Sequence, residues 1–188
     1  MTLYRPARVY LRAMEYSDLN LINQLHNHKD INKSTAGNTF FVSSEYDRKW
    51  LEDKMINNQK QIYWMICLKE TSQAIGYVSL SDIDHWNKKI FLSGYTISPE
   101  FSGKGYATEA AKLAIQYAFE ELGMNRIEGR FLDDNAASQR VGSKLGYVQD
   151  GILRDYVFKN GRYHDVIFSS ILRSDYEKLK EQGVYPID

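Results

Sequence analysis

The stretch IFLSGYTISPEFSGKGYATEAAKLAIQYAFEELGMNRIEGRFL, residues 90–132, decides the architecture of this chain. Ile90 to Ile97 reads as a strand, rich in β-branched and aromatic side chains. A glycine-containing loop, Ser102 to Glu109, follows. Ala107, Ala110, Ala111, Ala114, Ile115, Ala118, Phe119 and Leu122 then recur at helical spacing until Gly123 stops them. Arg126 to Leu132 returns to a strand. Two strands joined through a helix favour a right-handed parallel crossover, and a face of alanines lets that helix sit close to the sheet.

Upstream, Val9 to Met14 is a short strand running into Ser17 or Asp18, the expected cap of a helix through Leu19, Ile22, Leu25 and His26. Lys33 to Thr39 is a polar connection expected to lie over a pocket. Ser44, with Asp47 three residues on, is expected to cap a second helix carrying Trp50, Leu51 and Met55. Strands at Ile62 to Leu68 and Ala74 to Leu80, with turn signals at Glu70–Gln73 and Asp84–Lys89, complete an antiparallel meander with Ile90–Ile97. Downstream, Asp133-Asp134-Asn135 caps a helix with Ala137, Val141 and Leu145. Leu153–Phe158 and Tyr163–Leu172 form a hairpin about Asn160-Gly161, and Ser174 with Glu177 is expected to cap a final helix that Gly183 ends. The class is α/β with a mixed sheet, expected as one domain over residues 1–188.

Composition narrows the function. The 188 residues carry 24 Lys plus Arg against 24 Asp plus Glu, and neither residues 1–100 nor 101–188 hides an excess. Partners held through phosphate neutralisation or a polybasic surface are therefore not expected: no nucleic acid and no membrane. Cys67 is the single cysteine, so no intrachain disulfide and no cysteine-rich zinc framework can form. The opening residues have no apolar signal core, and no run of about 18 apolar residues occurs, so a cytoplasmic protein is expected. The four histidines show no metal-ligand spacing, and His164 and Asp165, adjacent on a strand, point to opposite faces; no metal is expected.

Gly103-Lys104-Gly105 is compatible with an anion cradle. A nucleoside-triphosphate loop is excluded by Ser98 in place of its first glycine and by Gly105 in place of its hydroxyl residue. A dinucleotide fingerprint is disfavoured by Thr108 in place of its third glycine. What remains is a plain turn, or a pyrophosphate site made of backbone N–H groups at a helix start.

Gly94 to Ala111, Asn135 to Tyr147 and Leu153 to Val166, in that order and spacing, resemble the GNAT superfamily of acetyl-CoA-dependent N-acetyltransferases, in particular its ribosomal-protein and spermidine branch. The resemblance spans residues 7 to 173 and includes Leu11-Arg12…Asp18-Leu19. It implies a mostly antiparallel sheet with one splayed parallel pair, helices on its flanks, and acetyl-CoA as co-substrate. It also implies that Ser102, Gly103, Lys104, Gly105, Tyr106, Ala107 and Thr108 hold the pyrophosphate, with Ser102 where a Gln or Arg is usual. The pantetheine arm would run beside Tyr95, Ile97 and Ser98, and Asn135 would bind the cofactor. Lys104, with Arg140 or Lys144, is expected to add positive charge near the pyrophosphate.

Acetyl transfer needs a proton removed from the amine and one given to the departing thiolate. The Tyr that often serves the thiolate in the family maps to Gly142; the resemblance to the ribosomal-protein branch, whose Asn-x-x-Ser-x-x-Val matches Asn135, Ser138 and Val141, implies Ser138 near the sulfur, directly or through water. A Glu often used as base maps to Leu92, and another falls near Val157. Asp155, two residues from Val157, is the first candidate base, with Asp82, Asp84 and His85 behind it. The acceptor is a primary amine: a peptide or protein N-terminus, a polyamine, an amino sugar or an aminoglycoside-like compound. A non-catalytic CoA-sensing module on the same fold is the alternative, and a homodimer through the final hairpin is compatible with the sequence.

Overall fold

The computed structural model describes residues 7–34, 41–56 and 60–185. The chain runs β1 Val9–Ala13, α1 Leu19–His26, α2 Lys29–Ser34, α3 Ser44–Ile56, β2 Ile62–Leu68, β3 Ala74–Asp84 and β4 Lys89–Ile97. It continues with α4 Tyr106–Glu120, β5 Arg126–Leu132, α5 Ala136–Leu145, β6 Val148–Lys159, β7 Arg162–Leu172 and α6 Arg173–Glu181. One seven-stranded sheet takes the order β1-β2-β3-β4-β5-β7-β6. Its neighbours are antiparallel except β4 and β5, which the α4 crossover makes parallel.

The parallel pair is short. Only Lys89↔Arg126, Ile90↔Ile127 and Phe91↔Glu128 are in register; beyond them β4 and β5 part. The cause lies in β4, where Ser79 faces Gly94 and Leu80 faces Leu92, leaving Ser93 as the extra residue of a bulge. A bulge bends its strand and increases local twist, so β4 turns away from β5 at that point. The Ser93 hydroxyl donates to the Ser79 carbonyl at 3.2 Å, and the Ser79 hydroxyl lies 2.8 Å from it, so the bulge has polar anchors.

The sheet separates two cores. On one face Val78, Leu80, Ile90 and Ile127 pack against Ala110, Ala111, Ala114 and Ala118 of α4, with Leu145 of α5 and Tyr176 of α6. Those alanines are fully buried, and Cβ-only side chains are what bring α4 down onto the strands. On the other face Ile22 of α1 and Leu51 of α3 meet Met65 and Cys67 of β2.

Several local expectations shift. The cap of α3 is Ser43, whose hydroxyl accepts the Tyr46 N–H at 3.1 Å, not Ser44, because the Asp47 carboxylate is turned inward and taken by other partners. At α6 it is Asp175, not Glu177, that accepts a pre-helical N–H, that of Leu172. α2 was not foreseen, β3 continues to Asp84 and β6 begins at Val148. The connection expected over a pocket falls largely on residues 35–40, outside the described residues. Asn160 and Gly161 do carry positive φ, 52° and 80°, as a tight hairpin turn of this kind requires.

The alternation that favoured Asp155 does not hold. Leu153 pairs with Val166 but Val157 with His164, so three residues of β6, Arg154 to Tyr156, oppose one of β7, Asp165. Asp155 sits in that bulge at φ 49°, exposed, with its N–H donated to the Asp165 carboxylate at 2.9 Å. It does not share a strand face with Val157 in the way period-two alternation requires.

Candidate active site

The glycine loop begins where β4 ends, as a short helical turn at Pro99–Phe101. Gly103 and Gly105 take φ of 74° and 89°, a left-handed conformation that costs other residues about 1 kcal/mol or more, and Gly105 caps α4. The first intrahelical bond runs from the Glu109 N–H to the Gly105 carbonyl. The N–H groups of Tyr106, Ala107 and Thr108 therefore precede it, directed out of the helix start with the positive end of its dipole. A Cβ on Gly103 would meet open space, so the loop leaves room for a ligand at its outer side.

Arg8, which the sequence did not single out, holds this loop. Its guanidinium donates to the Lys104 carbonyl at 2.7 Å and grips Glu109 through two nitrogens at 2.8 and 2.6 Å, lying 4.6 Å from the centre of the Tyr106 ring. An Arg just before β1 gives no sequence signal for this, since its partners lie about a hundred residues on. Lys104 and, on α5, Arg140 and Lys144 are exposed surface cations.

Past Phe91, among the described residues, Leu92–Ile97 of β4 and Gly129–Leu132 of β5 make no ladder with each other. Across this gap the Tyr95 hydroxyl lies 3.1 Å from the Ser138 hydroxyl at the first turn of α5. Burial raises the Tyr95 phenol above its ordinary pKa, against the Ser138 hydrogen bond, so it stays protonated at neutral pH. Asn135 caps α5, its Oδ1 accepting the Ser138 N–H at 3.0 Å, which fixes where Ser138 points. The expected cofactor residues on β4 are thus divided in role. Tyr95 faces α5, Ile97 joins the core beneath α4, and Ser98 is buried with its N–H committed to the Ile75 carbonyl.

Gly142 explains its own departure from the usual Tyr. A Cβ there would lie 2.6 Å from the Phe131 ring, which occupies the space and meets Tyr147 edge-on at 5.5 Å between centroids. Leu92 is buried in the core, where an ionised Glu would be desolvated. Asp84 caps its turn, accepting the N–H groups of Trp86 and Asn87 and the Asn87 amide, whose hydrogen bonds lower its pKa; Asp82 and His85 are exposed at the same meander.

The opposite face of β4 holds a cluster that the sequence did not reveal. The Asp47 carboxylate, fully buried, accepts from Asn23 and His26 at 2.6 Å each, and the far nitrogen of His26 is 3.1 Å from the Tyr77 hydroxyl. Tyr77 is the direct cross-strand partner of Thr96; burial pushes the phenol up to about 12, with the Thr96 side chain acting against it. At the hairpin, His164 joins Asp133 and Asp134, 3.2 and 3.3 Å from its Nδ1, while its Nε2 faces the Lys159 carbonyl at 3.1 Å. His164 thus has acidic neighbours that the sequence did not pair with it, with both ring nitrogens in hydrogen bonds. A cleft of about 270 Å³ opens beside the end of β4, lined by Gln24, Leu25, His28, Ser98, Pro99 and Glu100.

A bulged β4 parting from β5, with a glycine loop at the next helix start, is compatible with an acyl-CoA site. Residues 8–148 match the acetyltransferase (GNAT) domain model, and the chain belongs to that family. Over 168 residues it is 30% identical to spermidine N(1)-acetyltransferase of Escherichia coli, covering 89% of this chain and 88% of that one. Over 105 residues, 56% of this chain and 57% of the other, it is 38% identical to a putative ribosomal N-acetyltransferase, YdaF, of Bacillus subtilis. The crystal structure of spermidine N-acetyltransferase from Vibrio cholerae, in complex with CoA and spermine, superposes with a TM-score of 0.82 at 28% identity, over 90% of this chain and 98% of that one. The protein is an acetyl-CoA-dependent N-acetyltransferase, and its cradle and gap suit acetyl-CoA as co-substrate. Among the described residues no helix is long and apolar enough to cross a membrane.

Proposed function

We propose that this enzyme acetylates a small primary amine by direct attack on acetyl-CoA in a ternary complex, in the cytoplasm and without metal. The observation that carries the reading is the Tyr95–Ser138 hydrogen bond across the β4–β5 gap. It supports this hydroxyl pair, with Tyr95 held protonated by burial, as the proton source for the departing thiolate. Ser138 is the donor and Tyr95 supports it; Asn135 orients Ser138 and, with Ser102 to Thr108, contributes to holding the cofactor. No cysteine nucleophile is required, and Cys67 is buried in the opposite core.

A polyamine is the favoured acceptor. The relatives named for spermidine support a small amine, and the cleft at the end of β4, about 270 Å³ with Glu100 on its lining, suits a slender cation better than a folded protein. An N-terminal peptide amine is the competing substrate, supported by the likeness to the putative ribosomal enzyme. Thermal shift with acetyl-CoA, CoA, ATP and NAD, followed by thiol release on spermidine, spermine, peptide and amino-sugar substrates, tests this. Stabilisation by CoA compounds and turnover with a polyamine are expected. Stabilisation by ATP alone would overturn the site, and CoA binding without turnover on any amine would favour a CoA-sensing module. The exposed apolar residues Val148, Ile152, Tyr156 and Phe158 on the edge strand β6 support a homodimer, which light scattering checks.

A further inference from the structure

We propose that Thr96, Tyr77, His26 and Asp47 form a proton relay that removes the proton of the attacking amine, with His26 as its terminal acceptor. The proposal rests on the acetyltransferase reading above and adds the base that the sequence does not supply. A carboxylate only accepts, so the Asp47 contact at 2.6 Å places a hydrogen on His26 Nδ1. In the neutral ring Nε2 is then an acceptor, and the Tyr77 hydroxyl, 3.1 Å away, donates to it. The phenol oxygen is left to accept, and its neighbour is the side chain of Thr96, directly opposite it in the β3–β4 ladder. The two hydrogen bonds thus point the same way, from Tyr77 toward the buried carboxylate, and Thr96 stands next in line on β4. Thr96 lies on the length of β4 that has parted from β5, between Tyr95 and Ile97.

The proton count closes. An ammonium beside Thr96 gives a proton to its hydroxyl oxygen, the hydroxyl's own hydrogen passes to the Tyr77 oxygen, and the Tyr77 hydrogen passes to His26 Nε2. The amine keeps its lone pair, and the imidazolium forms against Asp47. His26 is 18% exposed, so the proton has an exit to water, while Asp47 at 0% does not share its charge with solvent. Trp50 meets His26 edge-on at 4.9 Å and Tyr77 meets it at 5.9 Å, holding the ring in line. The titratable groups around the chain are Asp47 from α3 and Tyr77 and Tyr63 from the sheet, with Lys54 beyond, over the Trp50 and Tyr63 rings.

The test compares kcat/KM against pH for the wild type, His26→Gln and Tyr77→Phe, on an amine that the substrate panel shows to be acetylated. His26→Gln should lose about 100-fold to 1000-fold at pH 7, as loss of a general base does. The deficit should shrink to about threefold near pH 10, where a free amine is already half neutral. Tyr77→Phe, which keeps the ring packing, should show the same pH-dependent deficit, and Thr96→Ser should retain the activity that Thr96→Val loses; acetyl-CoA affinity should stay unchanged throughout. No deficit in either His26→Gln or Tyr77→Phe, or one equal at every pH, overturns the relay. Long-range 1H–15N NMR of His26 should show the Nδ1–H tautomer; the Nε2–H tautomer overturns the relay whether or not any amine is acetylated. Failure of the whole panel with the wild type counts instead against the proposed substrate class.

Discussion

The two faces of β4 are built in opposite ways. On the face proposed to hold the cofactor, Tyr95, the loop Ser102–Thr108 and the α5 turn Asn135–Ser138 come from little more than forty consecutive residues, and the loop offers the free backbone N–H groups of a helix start. On the other face Asn23, His26, Asp47, Tyr77 and Thr96 come from two helices and two strands, and the chemistry is all side chain. A local cradle depends on conformation and can be damaged without unfolding the chain. A dispersed buried network depends on packing, so damage there costs stability and rate together.

Substitutions can break that contrast. The largest effect is expected at Asp47→Ala, which leaves Asn23 and His26 without their buried acceptor: about 2–4 kcal/mol of stability, read as a Tm lower by roughly 5–10 °C. Gly105→Ala should lower Tm by only about 2–4 °C yet weaken acetyl-CoA about 10-fold to 100-fold in calorimetry. An L side chain at φ 89° is strained by about 1 kcal/mol, and its Cβ meets Arg8 Nη2 at 3.2 Å. If Tm fell as far as in Asp47→Ala, the contrast would be wrong.

Smaller effects sharpen it. Ser138→Ala should lower kcat about tenfold with little change in acetyl-CoA affinity. Tyr95→Phe should lower it by a similar factor at every pH from 7 to about 9. The sign follows from a raised pKa: burial keeps the neutral phenol, the donor form, through a range where an ordinary tyrosine begins to ionise. A loss confined to alkaline pH would contradict it. Arg8→Ala should weaken acetyl-CoA about threefold by freeing the loop while Tm moves little, because the Arg8–Glu109 pair is half exposed. Asp155→Asn, on an exposed bulge, should leave kcat/KM within about twofold.

The same contrast governs what could be read in advance. Gly103, Gly105 and the alanines of α4 are legible because positive φ and close helix packing restrict residue type locally. Ser138 and Asn135 are legible because a helix cap has a fixed spacing. The same spacing rule reads Asp47 as part of a cap, yet the folded chain gives its carboxylate to His26 and leaves the cap to Ser43. Strand alternation favours Asp155, but the bulge at Leu153–Val157 interrupts that alternation. Bulges depend on the partner strand as much as on the bulged one, so one strand's residues do not announce them.

The sequence by itself determined the mixed α/β architecture, the parallel crossover and the glycine turn before α4, because each follows from short-range rules of periodicity and backbone conformation. Only the tertiary structure decided where β4 leaves β5, that Phe131 fills the space at Gly142, that Arg8 holds the loop, and that His26 meets Asp47 and Tyr77. Those outcomes join residues up to about a hundred positions apart, and such contacts are set by how the sheet and helices pack together, which no local rule specifies.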